Sequence, residues 1–171
     1  MPGPYYILNC EDPDEGYLAR LSYTPDEPRR SWILGERFSV APPEPVRATI
    51  RGLDDDDTVM AELWKSPVPV MSNRLLVALR QAGVSNLDVY AAALSDPSSV
   101  KVYDELVAFN VIGNISAVRR NSTSIDRLQL DEVRLAEAAS TLVVHASIKA
   151  RVEAAGTETL TFYEPSDWAT R

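Results

Sequence analysis

Histidine and cysteine are nearly absent from this 171-residue chain, which contains one of each. The single cysteine, Cys10, cannot form an intrachain disulfide, and no CxxC or Cys/His zinc set can be assembled. Cys10 follows an apolar run without a basic neighbour that would stabilise a thiolate, so we expect a buried, unreactive thiol. His145 lies on an apolar stretch, where a structural role is expected rather than general-base catalysis.

Glycine is also scarce, with seven residues in the whole chain. The sequence contains no GxxxxGK[ST] or GxGxxG phosphate loop, no GxSxG elbow and no HExxH helix. Glu105, Glu153 or the run at 54–57 could be paired for carboxylate chemistry, but no lysine, histidine or ligand set completes a site. We expect no enzymatic activity, no cofactor and no metal; a small hydrolase using carboxylates and a hard metal is the less favoured alternative.

Long apolar runs are missing. No run approaches the roughly 20 residues that cross a bilayer, and the first residues, Met1 to Tyr5, lack the basic and apolar segments of a secretory signal. We therefore expect a cytoplasmic protein that does not bind membranes. With 45% hydrophobic residues, a chain of this length can bury the core of one globular domain, which we expect to span 1–171.

Negative charge is in excess and is unevenly distributed. The formal net charge is -8, and residues 1–64 hold 13 Asp and Glu against 6 Lys and Arg. Such a negative field repels phosphate backbones and favours encounters with basic surfaces. We expect no direct nucleic-acid binding, although a basic protein that itself binds nucleic acid would be a suitable partner.

The first 45 residues are predicted to form a proline-rich layer of strands and loops. Seven of the 12 prolines lie within residues 1–43, which disfavours long helices there. Strands are predicted at 5–10 and 17–23, separated by an acidic turn, and a third at 31–34. Residues 46–51 alternate apolar and polar side chains as a half-buried strand does.

Two strand–helix–strand units are predicted further along. In the first, an extended run at 67–71 precedes a helix over 72–82, which begins at the N-cap Ser72 and ends at Gly83. In the second, the strand at 141–146 precedes a helix over 147–155 with Ser147 as its cap. Apolar strands are predicted to follow at 87–94 and 159–163. The fold class is therefore α+β, a predominantly β single domain with two short packed helices in a repeated unit.

The segment between the two units is less regular. A long strand is predicted over 102–112. Residues 114–125 are polar and indicate a loop. In residues 128–139, apolar and polar side chains alternate imperfectly, but helix propensity is high. The sequence therefore allows either a strand or a helix there.

The run Asp54-Asp55-Asp56-Asp57 allows three interpretations. It lacks the alternating ligand spacing of a calcium loop. It could be a solvated loop, or the first turn of a short helix over 58–64, where carboxylates suit the helix dipole. It could also be a docking patch for a basic protein, since clustered carboxylates accelerate encounter.

Several short motifs resemble a family of polymorphic-toxin immunity proteins, the myxobacterial type catalogued as a domain of unknown function. These motifs are Ile50-Arg51-Gly52-Leu53 with its acidic continuation, the strand and Ser-initiated helix at 69–75 ending at Ala82-Gly83, the tyrosine-bearing strand from Tyr103 to Asn110, and the second unit from Val143 to Gly156. The resemblance covers residues 46–163. Acidic residues often follow the asparagine in the family, but 111–120 contains none, so the resemblance assigns no contact there.

The resemblance implies a cytoplasmic protein, encoded beside a toxin that is often a nuclease, which it neutralises by tight binding. A nuclease site is basic because it holds phosphate, so an acidic inhibitor complements it. Trp64, just after the acidic run, is the expected apolar anchor. We expect the following carboxylates to face the toxin: Glu11, Asp12, Asp14, Glu15, Asp54, Asp55, Asp56 and Asp57. The alternative is an acidic adaptor or regulatory module without a toxin partner.

Overall fold

The fold is described from a computed structural model, which describes residues 5–25, 30–32, 35–112, 135–138 and 141–168. Strands predominate, as expected for a mainly β member of the α+β class. The strands are β1 (Tyr5–Cys10), β2 (Tyr17–Leu18), β3 (Arg20–Ser22), β4 (Val46–Arg51), β5 (Thr58–Val59), β6 (Leu63–Trp64), β7 (Val70–Ser72), β8 (Leu87–Ser95), β9 (Val102–Val111), β10 (Leu135–Ala138), β11 (Thr141–His145) and β12 (Leu160–Tyr163). The helices are α1 (Asn73–Gln81), α2 (Ala146–Ala154) and α3 (Pro165–Trp168).

The strands form two larger sheets and one small pair. One sheet has six strands in the order β3-β4-β8-β9-β7-β6, in which only β4 and β8 are parallel neighbours. The other has four strands in the order β10-β11-β1-β12, all antiparallel. The small pair joins β2 and β5 in parallel.

The two predicted strand–helix–strand units are present, and both are split by an inserted strand. Helix α1 connects β7 to β8, but β9 lies between these strands and runs antiparallel to both. Helix α2 connects β11 to β12, and β1 occupies the equivalent middle position. The strands flanking each helix are therefore parallel to each other without being hydrogen-bonded neighbours.

Local capping explains where the two longer helices begin. The Ser72 hydroxyl accepts a hydrogen bond from the Leu75 amide at 3.1 Å, as predicted, and Gly83 follows the helix with a φ of +87°. The predicted cap of α2 was wrong by two residues. Ser147 already lies in the helix, and the extended residue before it, His145, accepts from the Ser147 amide through Nδ1 at 3.1 Å.

Strands β7 and β9 of the six-stranded sheet are buried on both faces, because alternate residues along them enter two different cores. Met71 and Phe109 enter the first core, which lies between this sheet, the four-stranded sheet and the helices. Their neighbours Val70 and Ala108 enter the second core. The second core is covered by the proline-rich N-terminal layer, including the side chain of Trp32.

Several finer predictions differ from the structure. The helix over 58–64 was wrong, because residues 58–59 pair with β2 and residues 63–64 pair with β7. The strand over 17–23 is divided into β2 and β3. Residues 31 and 32 are not in a strand, and residues 33–34 and 114–125 lie outside the described residues. Of 128–139, only residues 135–138 are described, and they form β10.

No helix in the described part of the chain is long and apolar enough to span a membrane.

Candidate functional site

The small parallel pair of strands brings the two acidic runs of the sequence together. Tyr17 lies opposite Thr58, which directly follows the run at 54–57, and the acidic turn at 11–15 directly precedes Gly16. The Tyr17 amide donates to the Asp57 carbonyl at 2.9 Å, and the Ala19 amide donates to the Val59 carbonyl at 2.8 Å. Two segments that are distant in sequence therefore share one surface.

Gly16 allows this close approach. Its φ is +115°, and a Cβ atom at this position would lie 2.2 Å from the carbonyl oxygen of Asp57. A side chain would therefore meet rigid backbone as well as an unfavourable dihedral angle. The contact between the two acidic segments depends on glycine at this residue.

The run at 54–57 forms an exposed turn. The Asp55 amide donates to the Gly52 carbonyl at 3.0 Å, and the Asp55 carbonyl accepts from the Thr58 amide at 3.0 Å. The Asp55 carboxylate also accepts from the Asp57 amide at 3.1 Å. All four aspartates are exposed, so the turn is stabilised by backbone contacts that leave most of its carboxylate oxygens in solvent.

We call the exposed carboxylates of both segments the acidic surface. Asp12 helps to order it, since its Oδ1 accepts from the Leu18 amide at 2.7 Å. Within the described residues, none of these carboxylates forms an ion pair with a lysine or arginine. The members of the acidic surface are Asp12, Asp14, Glu15, Asp54, Asp55, Asp56 and Asp57.

Glu11 does not belong to this surface, although the sequence prediction included it. Its side chain is half-buried, and its carboxylate accepts from the Tyr163 hydroxyl and, at 3.2 Å, from the Asn9 amide. Both partners lie in the four-stranded sheet. Glu11 therefore connects the acidic turn to the body of the protein.

Trp64 does not fit the predicted role of apolar anchor. Its side chain is 7% exposed and lies in the second core. Its indole Nε1 donates to the Ala19 carbonyl at 2.8 Å, which satisfies the polar group inside the protein. A partner could not reach this ring without opening the core.

Tyr17 is the exposed aromatic residue beside the acidic surface. Its side chain is 61% exposed, and nearby Val59 is 38% exposed. Tyrosine combines a large apolar ring with a polar hydroxyl, a combination enriched at protein interfaces. In the sequence, the signal for this residue was an aromatic side chain directly after an acidic, glycine-terminated turn.

A second charged cluster supports the start of α1. Glu62 is buried, accepts from the Ser72 hydroxyl and forms an ion pair with Arg74. The hydrogen bond and the charge of Glu62 raise the pKa of Arg74 above its ordinary value. Since Ser72 also caps the helix, this cluster joins the edge strand β6 to the helix and carries a structural role.

The residues considered for catalysis lie apart. Glu153 forms an ion pair with Lys149 at 3.0 Å on α2, and Glu105 is exposed on β9. His145 caps α2 and packs edge-on against Tyr5 at 5.4 Å between ring centroids. The Cys10 thiol is half-buried beside the Thr159 hydroxyl at 3.5 Å. In the parts of the chain that the structure describes, no three His, Cys, Asp or Glu side chains form a group that could hold a metal ion.

No protein-family model matches the chain, and no curated protein matches its sequence.

Proposed function

We propose that this protein binds a basic protein through the acidic surface, with Tyr17 as an apolar contact. The observation that carries the proposal is the meeting of the two acidic runs on the β2–β5 pair. This arrangement places exposed carboxylates, which pair with no described lysine or arginine, beside an exposed aromatic ring. Those are the components of a charge-steered interface with a central apolar contact.

Charge repulsion supports a role in binding rather than in folding. Like charges that cluster on a surface destabilise the compact state slightly, and here no described basic side chain compensates them. The same cluster produces a local negative potential that raises the rate of encounter with a cationic partner. A binding function explains why the protein keeps these clustered carboxylates although their repulsion slightly lowers its stability.

We further propose that the partner is a bacterial toxin, with a basic nuclease as the favoured class. This assignment comes from the resemblance of residues 46–163 to immunity proteins and from the match between an acidic inhibitor and a phosphate-binding enzyme. It implies a cytoplasmic protein without catalytic activity of its own. An adaptor that uses the same surface without a toxin is the alternative.

The acidic surface can be tested with charge variants that keep side-chain size. One variant changes Asp54 to Asp57 into Asn, and a second changes Asp12, Asp14 and Glu15 into the corresponding amides. A control changes Asp104 and Glu105, which are exposed on β9, into amides. The partner is the protein encoded beside this gene, and association is measured by surface plasmon resonance at low salt.

We expect both surface variants to reduce the association rate constant by about tenfold or more, because steering acts mainly on association. The control is expected to change it much less. Equal association rates for all the variants would reject the acidic surface as the interface. Failure of the neighbouring protein to bind, or to arrest cells lacking this chain, would reject the toxin assignment and favour the adaptor.

Tyr17 provides a test of the apolar contact. Tyr17→Ser removes an exposed ring and is expected to leave folding nearly unchanged, while it raises the dissociation rate constant of the complex by about tenfold or more. Val100→Ser is the control, since Val100 is fully exposed on the β8–β9 hairpin. Unchanged dissociation in Tyr17→Ser would remove Tyr17 from the interface.

A further inference from the structure

A groove on the six-stranded sheet is cationic although the protein as a whole is acidic. Residues Val46, Ala48 and Ile50 of β4 enter the second core, so the alternate residues Arg47, Thr49 and Arg51 lie on the opposite face of the sheet. They border an open cavity of about 520 Å³, a volume within the range of small-molecule sites. The cavity is lined by Ser22, Tyr23, Thr24, Arg47, Ala48, Thr49, Arg51 and Ser95.

Positive charge in this groove has no partner among the residues that the structure describes. Neither Arg47 nor Arg51 forms an ion pair or a side-chain hydrogen bond within the described residues. Arg20 on β3 lies directly opposite Arg51 in the antiparallel register and is likewise unpaired there. Like charges directly opposite each other destabilise a strand pair, so the arrangement is unfavourable for the sheet by itself.

The lining specifies the charge of a ligand. Among the described residues, it contains two guanidinium groups and several hydroxyl groups, and no carboxylate. Guanidinium groups hydrogen-bond phosphate and carboxylate oxygens in a bidentate manner. The hydroxyls of Ser22, Thr24 and Thr49 make no hydrogen bond within the described residues and can donate to the same ligand.

The spacing of the arginines specifies how many anionic groups are held. Arg47 and Arg51 are four residues apart on one strand, which separates their Cα atoms by about 13 Å. Two guanidinium forks present more donors than one oxyanion can pair with bidentately, so a single oxyanion satisfies them less fully. A ligand with two oxyanion groups can engage both.

We propose that this groove binds a small molecule with two oxyanion groups, either phosphates or carboxylates. The site lies on different strands from the β2–β5 pair, and the proposal does not depend on the binding of a basic protein. The anion would neutralise an arginine cluster for which the described part of the chain supplies no counter-charge.

The site can be tested by isothermal titration calorimetry of the full chain at low ionic strength. The probes are pyrophosphate and succinate, which distinguish phosphate from carboxylate groups, with orthophosphate as a single-group comparison. Arg47→Gln and Arg51→Gln test the groove. Arg80→Gln, an equivalent change at an exposed position on α1, is the control.

We expect saturable binding of a two-group probe at a stoichiometry of one, weakened about tenfold or more in Arg47→Gln and Arg51→Gln and unchanged in Arg80→Gln. Orthophosphate is expected to bind more weakly than pyrophosphate. No saturable binding of either two-group probe, or equal binding by all three variants, would overturn the proposal.

Stability supplies a second measurement on the same variants. In a chloride buffer, Arg51→Gln is expected to unfold at the same or a higher temperature than the unchanged protein, because the repulsion with Arg20 is removed. Adding the two-group probe that binds in calorimetry is expected to raise the unfolding temperature of the unchanged protein more than that of Arg51→Gln. Equal increases in both proteins would contradict a site at Arg51.

Discussion

The indole of Trp64 shows how one side chain can be packed and hydrogen-bonded at the same time. Its ring fills the second core, and its Nε1 donates to the Ala19 carbonyl. Trp64→Phe keeps most of the packing but leaves that carbonyl without its donor, so we expect a loss of about 1–3 kcal/mol in the free energy of unfolding. Trp64→Ala is expected to lose about 3–5 kcal/mol. Urea denaturation measures both.

A measurement of partner binding distinguishes the structural role of Trp64 from the role of interface anchor that was predicted from the sequence. The folded fraction of Trp64→Phe is expected to associate and dissociate like the unchanged protein. A faster dissociation with unchanged stability would instead place the indole in the interface.

Asp96 gives a prediction about pH at the turn of the β8–β9 hairpin. Its carboxylate accepts from the Ser98 hydroxyl at 2.6 Å, the Ser98 amide at 2.9 Å and the Ser99 hydroxyl at 3.0 Å. These hydrogen bonds, with those from Ser98 largest, lower the pKa of Asp96 below its ordinary value of 3.8. The ionised form therefore stabilises the folded state above that pH.

We expect Asp96→Asn to be less stable than the unchanged protein at neutral pH. Because the pKa is lower in the folded state, the difference is expected to persist down to the unfolded-state value and to shrink as the pH falls through the folded-state value. Denaturant titrations between neutral pH and pH ~2 measure it. A difference that stays constant across this range would show that the carboxylate charge does not matter.

At the scale of single elements, the two longer helices could be predicted from sequence because their signals are local. Ser72, the apolar spacing after it and Gly83 all lie within one short segment. The start of α2 was harder to predict, because histidine is an unusual N-cap and Ser147 is a common one. The short helix predicted over 58–64 failed for a different reason, since pairing with β2 and β7 outweighed local propensity.

Gly16 and Gly156 provide a matched pair of substitutions at turns. Both have positive φ, but a Cβ atom at Gly16 would collide with the Asp57 carbonyl, whereas nothing lies within 4 Å of one at Gly156. Gly156→Ala is expected to cost about 1–2 kcal/mol from its dihedral angle alone. Gly16→Ala is expected to cost more, because the β2–β5 pair must also separate.

The two variants are also expected to differ in function. Gly16→Ala moves the two parts of the acidic surface apart and is expected to slow association with the partner, while Gly156→Ala leaves it unchanged. Thermal unfolding and surface plasmon resonance measure the two effects. Equal losses of stability in both variants would show that the collision with the Asp57 carbonyl adds nothing to the cost of Gly16→Ala.

At the scale of the whole molecule, the acidic surface could be predicted from sequence only in part. The acidity of both runs is evident from composition, but their meeting depends on a parallel pair of two residues in each strand. Such a short pair has no periodicity to detect. The sequence also did not reveal that Trp64 is buried while Tyr17 is exposed. The burial of Trp64 depends on Ala19 and on other residues that are distant in the chain.

Salt dependence tests the acidic surface as a whole. Exposed charges are screened over about 8 Å at physiological ionic strength and about 3 Å at 1 M. We therefore expect the association rate constant with the basic partner to fall steeply with added sodium chloride, while the dissociation rate constant changes less. The combined amide variant of all seven carboxylates is expected to show a much flatter dependence. An equally steep dependence in that variant would assign the steering to another surface.

The central position of β1 has a consequence for how the chain matures. This strand pairs on one side with residues 142–145 and on the other with residues 160–163, which are translated more than 130 residues after it. On the ribosome its hydrogen-bonding edges stay unmatched until those residues have emerged, and closing so large a loop is slow. Residues 160–163 therefore complete the four-stranded sheet long after β1 is made, so a nascent chain that stalls between the two would expose an apolar strand open to aggregation.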